Sequence, residues 1–291
     1  VKQLPDLYTK EELETLRKGA YYHEKGGVFN ISPDYASTIR VGLDARRAEL
    51  KARLARAVAE NDAAAREFLA CAIQSVDAVL DLAERYRLEA ERQGLAQIAE
   101  TLARVPRQGA RTFHEALQFV RILHYTLWCE GEYHNGLGRV DQYLYPYFAA
   151  DRAAGTLAEE AALEALEEFF LSCNRDSDLY IGVQQGDNGQ SLMLGGVDKT
   201  GKDAFNALSR LCLKASCELK VIDPKINLRV SSATPLAILE EATELTKQGL
   251  GFPQYANDDV VIPALVRHGY ALEDARDYAV AACWEFIIPG C

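Results

Sequence analysis

The second half of the chain alternates short apolar runs with amphipathic segments, and this alternation restricts the fold more than any other feature. Residues 191–194, S-L-M-L, form the clearest apolar run, and in residues 226–230, I-N-L-R-V, apolar and polar residues alternate; both segments are too short for a helix and are bounded by turn residues. Such runs, separated by helices, indicate a parallel sheet buried on both faces. We therefore predict an α/β fold here, with strands at 178–183, 191–194, 226–230 and 279–282 and helices at about 203–219, 235–249 and 259–268.

The first 175 residues differ from the second half in composition and in the spacing of their apolar residues. Residues 43–103 are rich in Ala, Leu, Arg and Glu with apolar residues three and four apart, which predicts two long helices. Thr112 and Thr156 are each followed three residues later by glutamate, the pattern of a capping box that opens a helix. Because no low-complexity tract or linker separates the halves, we predict one domain over 1–291, mainly helical over 1–175 and α/β over 176–291.

Charge and cysteine content narrow the possible partners. The 291 residues contain 43 acidic and 32 basic side chains, and the resulting net charge of −11 repels phosphate backbones and anionic lipid. We expect neither a nucleic-acid nor a membrane partner. The seven cysteines are scattered without a C-x-x-C pair, which speaks against a disulfide framework or a metal site. Free thiols and the lack of an apolar run of about 20 residues lead us to expect a cytoplasmic protein.

Two other features have plain structural interpretations. His114 and His124 lie on a predicted amphipathic helix, where a packed or solvated histidine is a simpler interpretation than a metal ligand. The segment G-R-V-D-Q-Y-L-Y-P-Y at 138–147 concentrates charged and aromatic residues around a proline. We interpret it as an aromatic helix end in which Arg139 and Asp141 satisfy each other.

A cysteine and a carboxylate stand two residues apart in an otherwise apolar segment, A-A-C-W-E-F-I-I-P-G at 281–290. In extended backbone, Cys283 and Glu285 point to the same side and can face one substrate. Burial would raise the pKa of Glu285, which could then carry a proton near neutral pH, and would keep Cys283 a neutral thiol suited to hydrogen-atom chemistry. The alternative is a buried cysteine next to a glutamate that pairs with an arginine such as Arg276.

Four ordered blocks resemble the glycyl radical enzymes, the superfamily of pyruvate formate-lyase-like proteins. Cys283 follows the last block at the interval found in that family. The blocks are G-R-V-D-Q-Y-L-Y-P-Y at 138–147, G-G-V-D-K-T-G-K-D-A-F-N at 195–206, G-F-P-Q-Y-A-N-D-D-V-V-I-P-A-L at 251–265 and E-D-A-R-D-Y at 273–278.

The resemblance implies a portion of a ten-stranded α/β barrel made of two half-sheets, with a helical N-terminal region. A finger loop that carries Cys283 would run through the barrel centre. In this family a radical-SAM activase generates a radical on a glycine, and that glycyl radical oxidises the cysteine to the thiyl that attacks the substrate. The complete enzyme would be a homodimer acting on a small organic substrate, with no bound cofactor or metal.

The finger loop also indicates the branch of the family. Pyruvate formate-lyase has two adjacent cysteines in this loop, whereas Ala282 precedes Cys283 here. The Cys-x-Glu arrangement resembles the dehydratases, C–X lyases and arylacetate decarboxylases, and it implies that Glu285 is the base for a substrate hydroxyl. Two positions depart from many relatives: Trp284 replaces a small aliphatic residue, and Asn30 stands near the place of a histidine upstream of Ser32.

The radical glycine of the family lies in an R-V-x-G-Y-like segment near the C-terminus, and the 291 residues contain no such segment. We therefore expect a portion of a glycyl radical enzyme whose radical glycine lies outside this chain. One alternative is a non-catalytic half-barrel or split-gene partner. Another is a thiol hydrolase that pairs Cys283 with His268, for which no orienting partner is evident.

Overall fold

The computed structural model of the protein describes residues 8–19, 28–129, 133–176 and 189–290. The helices are α1 (Lys10–Lys18), α2 (Tyr35–Val41), α3 (Leu43–Ala59), α4 (Ala63–Arg92), α5 (Ala96–Arg104), α6 (Phe113–Trp128), α7 (Val140–Tyr143), α8 (Tyr145–Ala153), α9 (Glu159–Asp176), α10 (Ala207–Leu219), α11 (Leu236–Thr246), α12 (Asp258–Arg267) and α13 (Leu272–Arg276). The strands are β1 (Val28–Ile31), β2 (Tyr133–Asn135), β3 (Ser191–Gly195), β4 (Lys225–Val230), β5 (Gln254–Asn257), β6 (Ala279–Ala281) and β7 (Glu285–Ile287).

Five parallel strands follow one another in chain order. β1 pairs with β2, and β3 pairs with β4, which pairs with β5. The segment after β2 joins the two groups, because Leu137 donates its N–H to Ser191 O (2.8 Å) and Met193 donates to Gly138 O (2.9 Å). The sheet therefore continues from β1 to β5 with helical crossovers, and the alternating pattern predicted β3 and β4 of these strands.

The two faces of this sheet pack against different partners. Side chains such as Leu192 and Ile226 belong to the main core, which they share with the long helices on the outer face. Met193 and Ala256 alternate with them and pack on the inner face against Tyr278 and Val280. Because successive strand residues point to opposite faces, β3, buried on both sides, contains a continuous apolar run, whereas β4 places Leu228 on the outer face and Arg229 on the inner face.

An antiparallel hairpin, β6–β7, lies on the inner face. Its first arm begins where Tyr278 packs beside Arg229 near the carboxyl end of β4, and its turn reaches Ser191, the first residue of β3. We call residues 277–278 the hairpin base and Ala282, Cys283 and Trp284 the hairpin tip. The hairpin therefore crosses the sheet from the carboxyl ends of the strands to their amino ends.

The helical region differs in detail from the prediction. The interval 43–103 holds three helices rather than two, with breaks near Asn61 and Gly94, which both have positive φ. Thr112 does cap α6, since its Oγ1 accepts the N–H of Glu115 (3.2 Å). The capping box at Thr156 is wrong: α9 starts at Glu159, and the Thr156 hydroxyl donates to Asp151 O instead.

The predicted strands at 191–194, 226–230 and 279–282 are confirmed to within one residue, whereas 178–183 lies outside the described residues. The sequence reasoning missed β5, which is short and begins at a glutamine, and also β1, β2 and β7. Among the described residues, no helix combines the length and apolar character needed to cross a membrane.

Candidate functional site

The hairpin tip carries both residues singled out from the sequence. Ala282, Cys283 and Trp284 connect β6 to β7, and Ala281 pairs with Glu285 across the two arms. Ala282 adopts a left-handed conformation, with φ of 50°. The carboxylate of Glu285 accepts the N–H of Trp284 at 3.1 Å. Cys283 and Glu285 therefore stand on either side of Trp284 in one tight turn.

Burial of this pair, expected from its apolar neighbours, is wrong for the described residues. Cys283, Glu285 and Phe286 are exposed, and Trp284 has 45% of its surface accessible. The reason is that β6 packs on β3, whereas the main packing partner of β7 is β6. The alternative pairing of Glu285 with Arg276 is also wrong, because the Arg276 guanidinium donates to Lys199 O (3.0 Å).

The tip is held to the sheet through β3 and the residues before it. Ser191 donates its hydroxyl to Ala282 O at 2.7 Å, and both residues are fully buried. Gly189 allows a close approach at the same place. A Cβ on Gly189 would stand 2.5 Å from His134 Cδ2 and 3.2 Å from Ala282 Cα, so a larger residue would displace the tip or the imidazole.

A histidine–asparagine pair lies beside Gly189. His134 Nδ1 and Asn30 Oδ1 are 2.6 Å apart, and both residues have positive φ, 68° and 47°. Because the amide oxygen only accepts, Nδ1 of His134 carries the proton of this bond. The sequence reasoning did not single out His134, and its only signal was the unusual Asn30.

Polar side chains also line the inner face of the neighbouring strands. Lys225 pairs with Ser191 in the sheet register and is 5% exposed. Asn227 on β4 pairs with Gln254 on β5 in the sheet register. The side-chain oxygens of both residues are buried and have no hydrogen-bond partner among the described residues. The strands next to the tip therefore present a cation and two acceptor oxygens on the face that carries the hairpin.

The hairpin base is locked by a buried ion pair. Arg229 donates to Asp258 through Nε (2.8 Å) and Nη2 (3.0 Å), and its guanidinium lies 4.0 Å from the centre of the Tyr278 ring. The Tyr278 hydroxyl donates to the same carboxylate at 2.8 Å. This network joins β4, the start of α12 and the residue before β6.

Arg139 and Asp141 contribute to the same region, but they do not satisfy each other as predicted. Arg139 donates to Asp277 Oδ1 (3.0 Å) and to the carbonyls of Gly195 and Val197. Asp141 accepts the N–H of Gly195 (2.7 Å) and the hydroxyl of Ser209 (2.6 Å). Burial raises the pKa of Asp141, although both hydrogen bonds favour the charged form.

The hydrolase alternative gains no geometric support. His268 is an exposed residue after α12, and no hydrogen bond joins it to Cys283 in the described part of the chain. Within the same residues, no group of three or more His, Cys, Asp or Glu side chains could hold a metal ion.

Comparison with known proteins agrees with the architecture. The sequence model of the family described as pyruvate formate lyase-like matches residues 2–291. The isethionate sulfite-lyase of Nitratidesulfovibrio vulgaris is 34% identical over 244 residues, 77% of this chain and 29% of that protein. The (2S)-3-sulfopropanediol dehydratase of Klebsiella oxytoca is 31% identical over 291 residues, 92% of this chain and 35% of that protein.

A solved structure is similar over nearly the whole chain. The glycerol-bound B12-independent glycerol dehydratase of Clostridium butyricum superposes with a TM-score of 0.82 and 30% identity, covering 98% of this chain and 39% of that one. The chain thus spans between 29% and 39% of the length of these relatives. The expected fold, a portion of the glycyl radical enzyme barrel, is confirmed. By family match, sequence and fold, this chain belongs to the pyruvate formate lyase-like family, the glycyl radical enzymes.

Proposed function

We propose that this chain supplies the thiyl-bearing loop of a glycyl radical enzyme that catalyses an elimination on a small organic substrate. The observation that carries the proposal is the hairpin tip, where Cys283 and Glu285 flank Trp284 in one turn. The named relatives that act as lyases and dehydratases support the same kind of reaction.

In the proposed reaction, a radical on a glycine outside these residues takes the hydrogen atom of the Cys283 thiol. A separate radical-SAM activase generates that glycyl radical, and no further cofactor is needed. The thiyl radical then removes hydrogen from the substrate carbon that bears a hydroxyl group, so that an S–H bond forms as the C–H bond breaks.

Glu285 performs the next step as a general base. Its carboxylate accepts the hydroxyl proton, and the resulting ketyl radical expels the neighbouring leaving group with the bonding electron pair. The product radical finally takes a hydrogen atom from the Cys283 thiol, which restores the thiyl. Decarboxylation is the second reaction class that a Cys-x-Glu loop fits.

The exposure of the tip is consistent with this role. A radical site must exclude water, and the chain spans 29–39% of its relatives. We propose that the remaining length of the enzyme covers Cys283 and Glu285 and brings the radical glycine to the thiol. The homodimer and the cytoplasmic location expected from the sequence remain predictions.

We propose a hydroxylated substrate that also carries a negative charge. The side-chain oxygens of Asn227 and Gln254, which have no hydrogen-bond partner among the described residues, suit a substrate hydroxyl. The His134–Asn30 pair lies on the other side of the tip. Two relatives are named for small organic sulfonates, isethionate and (2S)-3-sulfopropanediol.

The test is substrate depletion by the activated, complete enzyme. The panel contains hydroxysulfonates, hydroxyproline, diols, amino alcohols and arylacetates. We expect Cys283→Ser to abolish turnover while the glycyl radical still forms, because a hydroxyl is a poor hydrogen-atom donor. Cys217→Ala, a partly buried thiol on α10, is the matched control and should keep full activity. Turnover by Cys283→Ser would contradict the proposal.

The alternative function, left open by the sequence, is a non-catalytic half-barrel that acts only by association. An R-V-x-G-Y-like segment in the same reading frame, together with turnover, would exclude it. Failure of the activated, complete protein to consume any substrate of the panel would support it.

A further inference from the structure

The hairpin tip has an anchor that the proposed chemistry does not use. Ser191 Oγ donates to Ala282 O at 2.7 Å, and this carbonyl belongs to the peptide bond that leads into Cys283. Because a peptide unit is planar, the direction of that carbonyl fixes the plane from which the Cys283 Cα leaves. The Ser191 hydroxyl therefore restrains the peptide plane from which the Cys283 residue departs.

The anchored conformation is one that an alanine rarely adopts. Ala282 has a φ of 50°, and a left-handed backbone is strained for a residue with a Cβ, because the Cβ lies too close to the following carbonyl oxygen. Such a conformation persists only where the surroundings fix it. Two described contacts fix the conformation of Ala282. They are the hydrogen bond from Ser191 and the close approach of Gly189, which has no side chain between it and Ala282.

Ser191 is in turn fixed by its neighbour, Gln190. The Gln190 amide nitrogen donates to Cys173 O at 2.7 Å, and its oxygen lies 2.8 Å from His124 Nε2. His124 Nδ1 lies 3.0 Å from the Tyr35 hydroxyl, and all of these side chains are buried. Since the amide oxygen only accepts, Nε2 carries the proton and Nδ1 accepts from Tyr35.

We infer that Ser191 is a positioning residue for Cys283, and that Gln190 and His124 hold Ser191 in place. This inference rests on the proposed function, because it concerns the placement of the thiyl radical. The line of buried hydrogen bonds runs from Tyr35 on α2 through His124 on α6 to the start of β3 and then to the tip. It makes the thiol position depend on the rigid helical layer.

The test compares Ser191→Ala with Ser191→Thr in the activated, complete enzyme, using the substrate found in the panel. A misplacement of about 1 Å can cost about 100-fold in rate, so we expect Ser191→Ala to lower kcat by about 10–100-fold. KM should stay within about twofold, and the glycyl radical content measured by EPR should not change. Ser191→Thr keeps the hydroxyl and should restore most of kcat.

Ser216→Ala is the matched control, because it also removes a buried hydroxyl but lies on α10. It should leave kcat unchanged. Amide hydrogen exchange over 279–287 gives a second measurement, and loss of the bond should speed it by about fivefold in Ser191→Ala, the effect of one net hydrogen bond. If Ser191→Ala does not fold, Ser191→Cys fills the same volume with a weaker donor and takes its place.

The outcomes separate this inference from the proposed function. Unchanged kcat and unchanged exchange in Ser191→Ala, with an inactive Cys283→Ser, would overturn the positioning role and leave the proposed function standing. Activity in Cys283→Ser would overturn the proposed function itself. A fall in kcat that Ser191→Thr does not restore would also contradict the role of the hydroxyl.

Discussion

The base and the tip of the β6–β7 hairpin are held by different means. At the base, Arg229 and Asp258 form a buried ion pair that also binds Tyr278, and Arg139 adds a second set of bonds through Asp277. At the tip, one described side-chain hydrogen bond from the sheet, that of Ser191, reaches the turn, and Cys283 and Glu285 are exposed. The molecule therefore separates the residues that fix the loop from those proposed to react.

This difference explains what the family-like sequence blocks encode. Arg139, Asp141, Asp258, Asp277 and Tyr278 all come from those blocks, and every one of them belongs to the hairpin base or to the bonds around it. The blocks identify the family because they build the anchor of the finger loop. The proposed chemistry depends on the tip, where Trp284 and Asn30 depart from many relatives.

The largest effect is expected from a substitution at the hairpin tip, which should lower activity and leave stability unchanged. Glu285→Gln keeps the shape of the side chain but removes the base, and it should lower kcat by roughly 10²–10⁴-fold, the usual contribution of general acid–base catalysis. Hydrogen exchange at the abstracted substrate position should persist, because abstraction precedes deprotonation. Glu240→Gln, an exposed residue on α11, is the control. Full turnover by Glu285→Gln would leave Glu285 without a catalytic role.

A substitution at the hairpin base is expected to lower the stability of the protein. Asp258→Asn leaves the guanidinium of Arg229, 1% exposed, without its carboxylate partner. Breaking a buried pair in this way lowers the free energy of unfolding by about 3–5 kcal/mol. Chemical denaturation would measure this loss of stability. Asp274→Asn, at an exposed position, is the control and should stay within about 0.5 kcal/mol of the parent. Equal stability of the two variants would contradict a locked base.

The stability that buried His124 contributes should depend on pH. Burial lowers the pKa of His124 from 6.5 to about 4, so the unfolded chain binds more protons between these values. The free energy of unfolding should be fully maintained above about pH 6.5 and fall by about 3 kcal/mol as the pH approaches 4.

His124→Gln cannot titrate and isolates this contribution from that of the carboxyl groups. Denaturation midpoints measured across the same pH range should show a smaller slope for the variant. A slope identical to that of the parent would mean that His124 does not stay neutral on folding.

The smallest effect on stability is expected from the aromatic residue at the tip. Trp284 is half exposed and contacts Phe286, with ring centres 6.2 Å apart, so Trp284→Ala should change the free energy of unfolding by less than about 0.5 kcal/mol. Phe113→Ala in the core should cost about 3–5 kcal/mol. A large loss in Trp284→Ala would show that the tip, too, is structurally fixed.

Periodicity was sufficient to predict β3, which is buried on both faces and contains the apolar run L-M-L, and β4, in which Lys225, Asn227 and Arg229 alternate with apolar residues. It could not find β5, whose four residues alternate in burial and begin with Gln254. The pattern at Thr156 failed because the Thr156 hydroxyl donates to the backbone carbonyl of Asp151 and the helix begins only at Glu159. Local spacing does not reveal such competition.

At the site, the sequence predicted which residues share the turn but not their surroundings. Cys283 and Glu285 follow from their spacing, whereas Ser191 meets Ala282 and His134 meets Asn30 across 91 and 104 residues of sequence. Arg139 and Asp141 were expected to pair because they are neighbours in the chain. In the folded protein, Arg139 instead donates to Asp277, and Asp141 accepts the N–H of Gly195; both partners are distant in the sequence.

The hairpin crosses the sheet in a single short arm, and this has a consequence for how the loop can evolve. β6 is three residues long, with Tyr278 fixed before it and Ala282 fixed after it. Side chains alternate along a strand, so a one-residue deletion or insertion between these two points would turn the cysteine to the opposite face. Substitutions at the turn can be tolerated while changes of length cannot, and new substrate preferences would therefore arise at constant spacing from Tyr278 to Cys283.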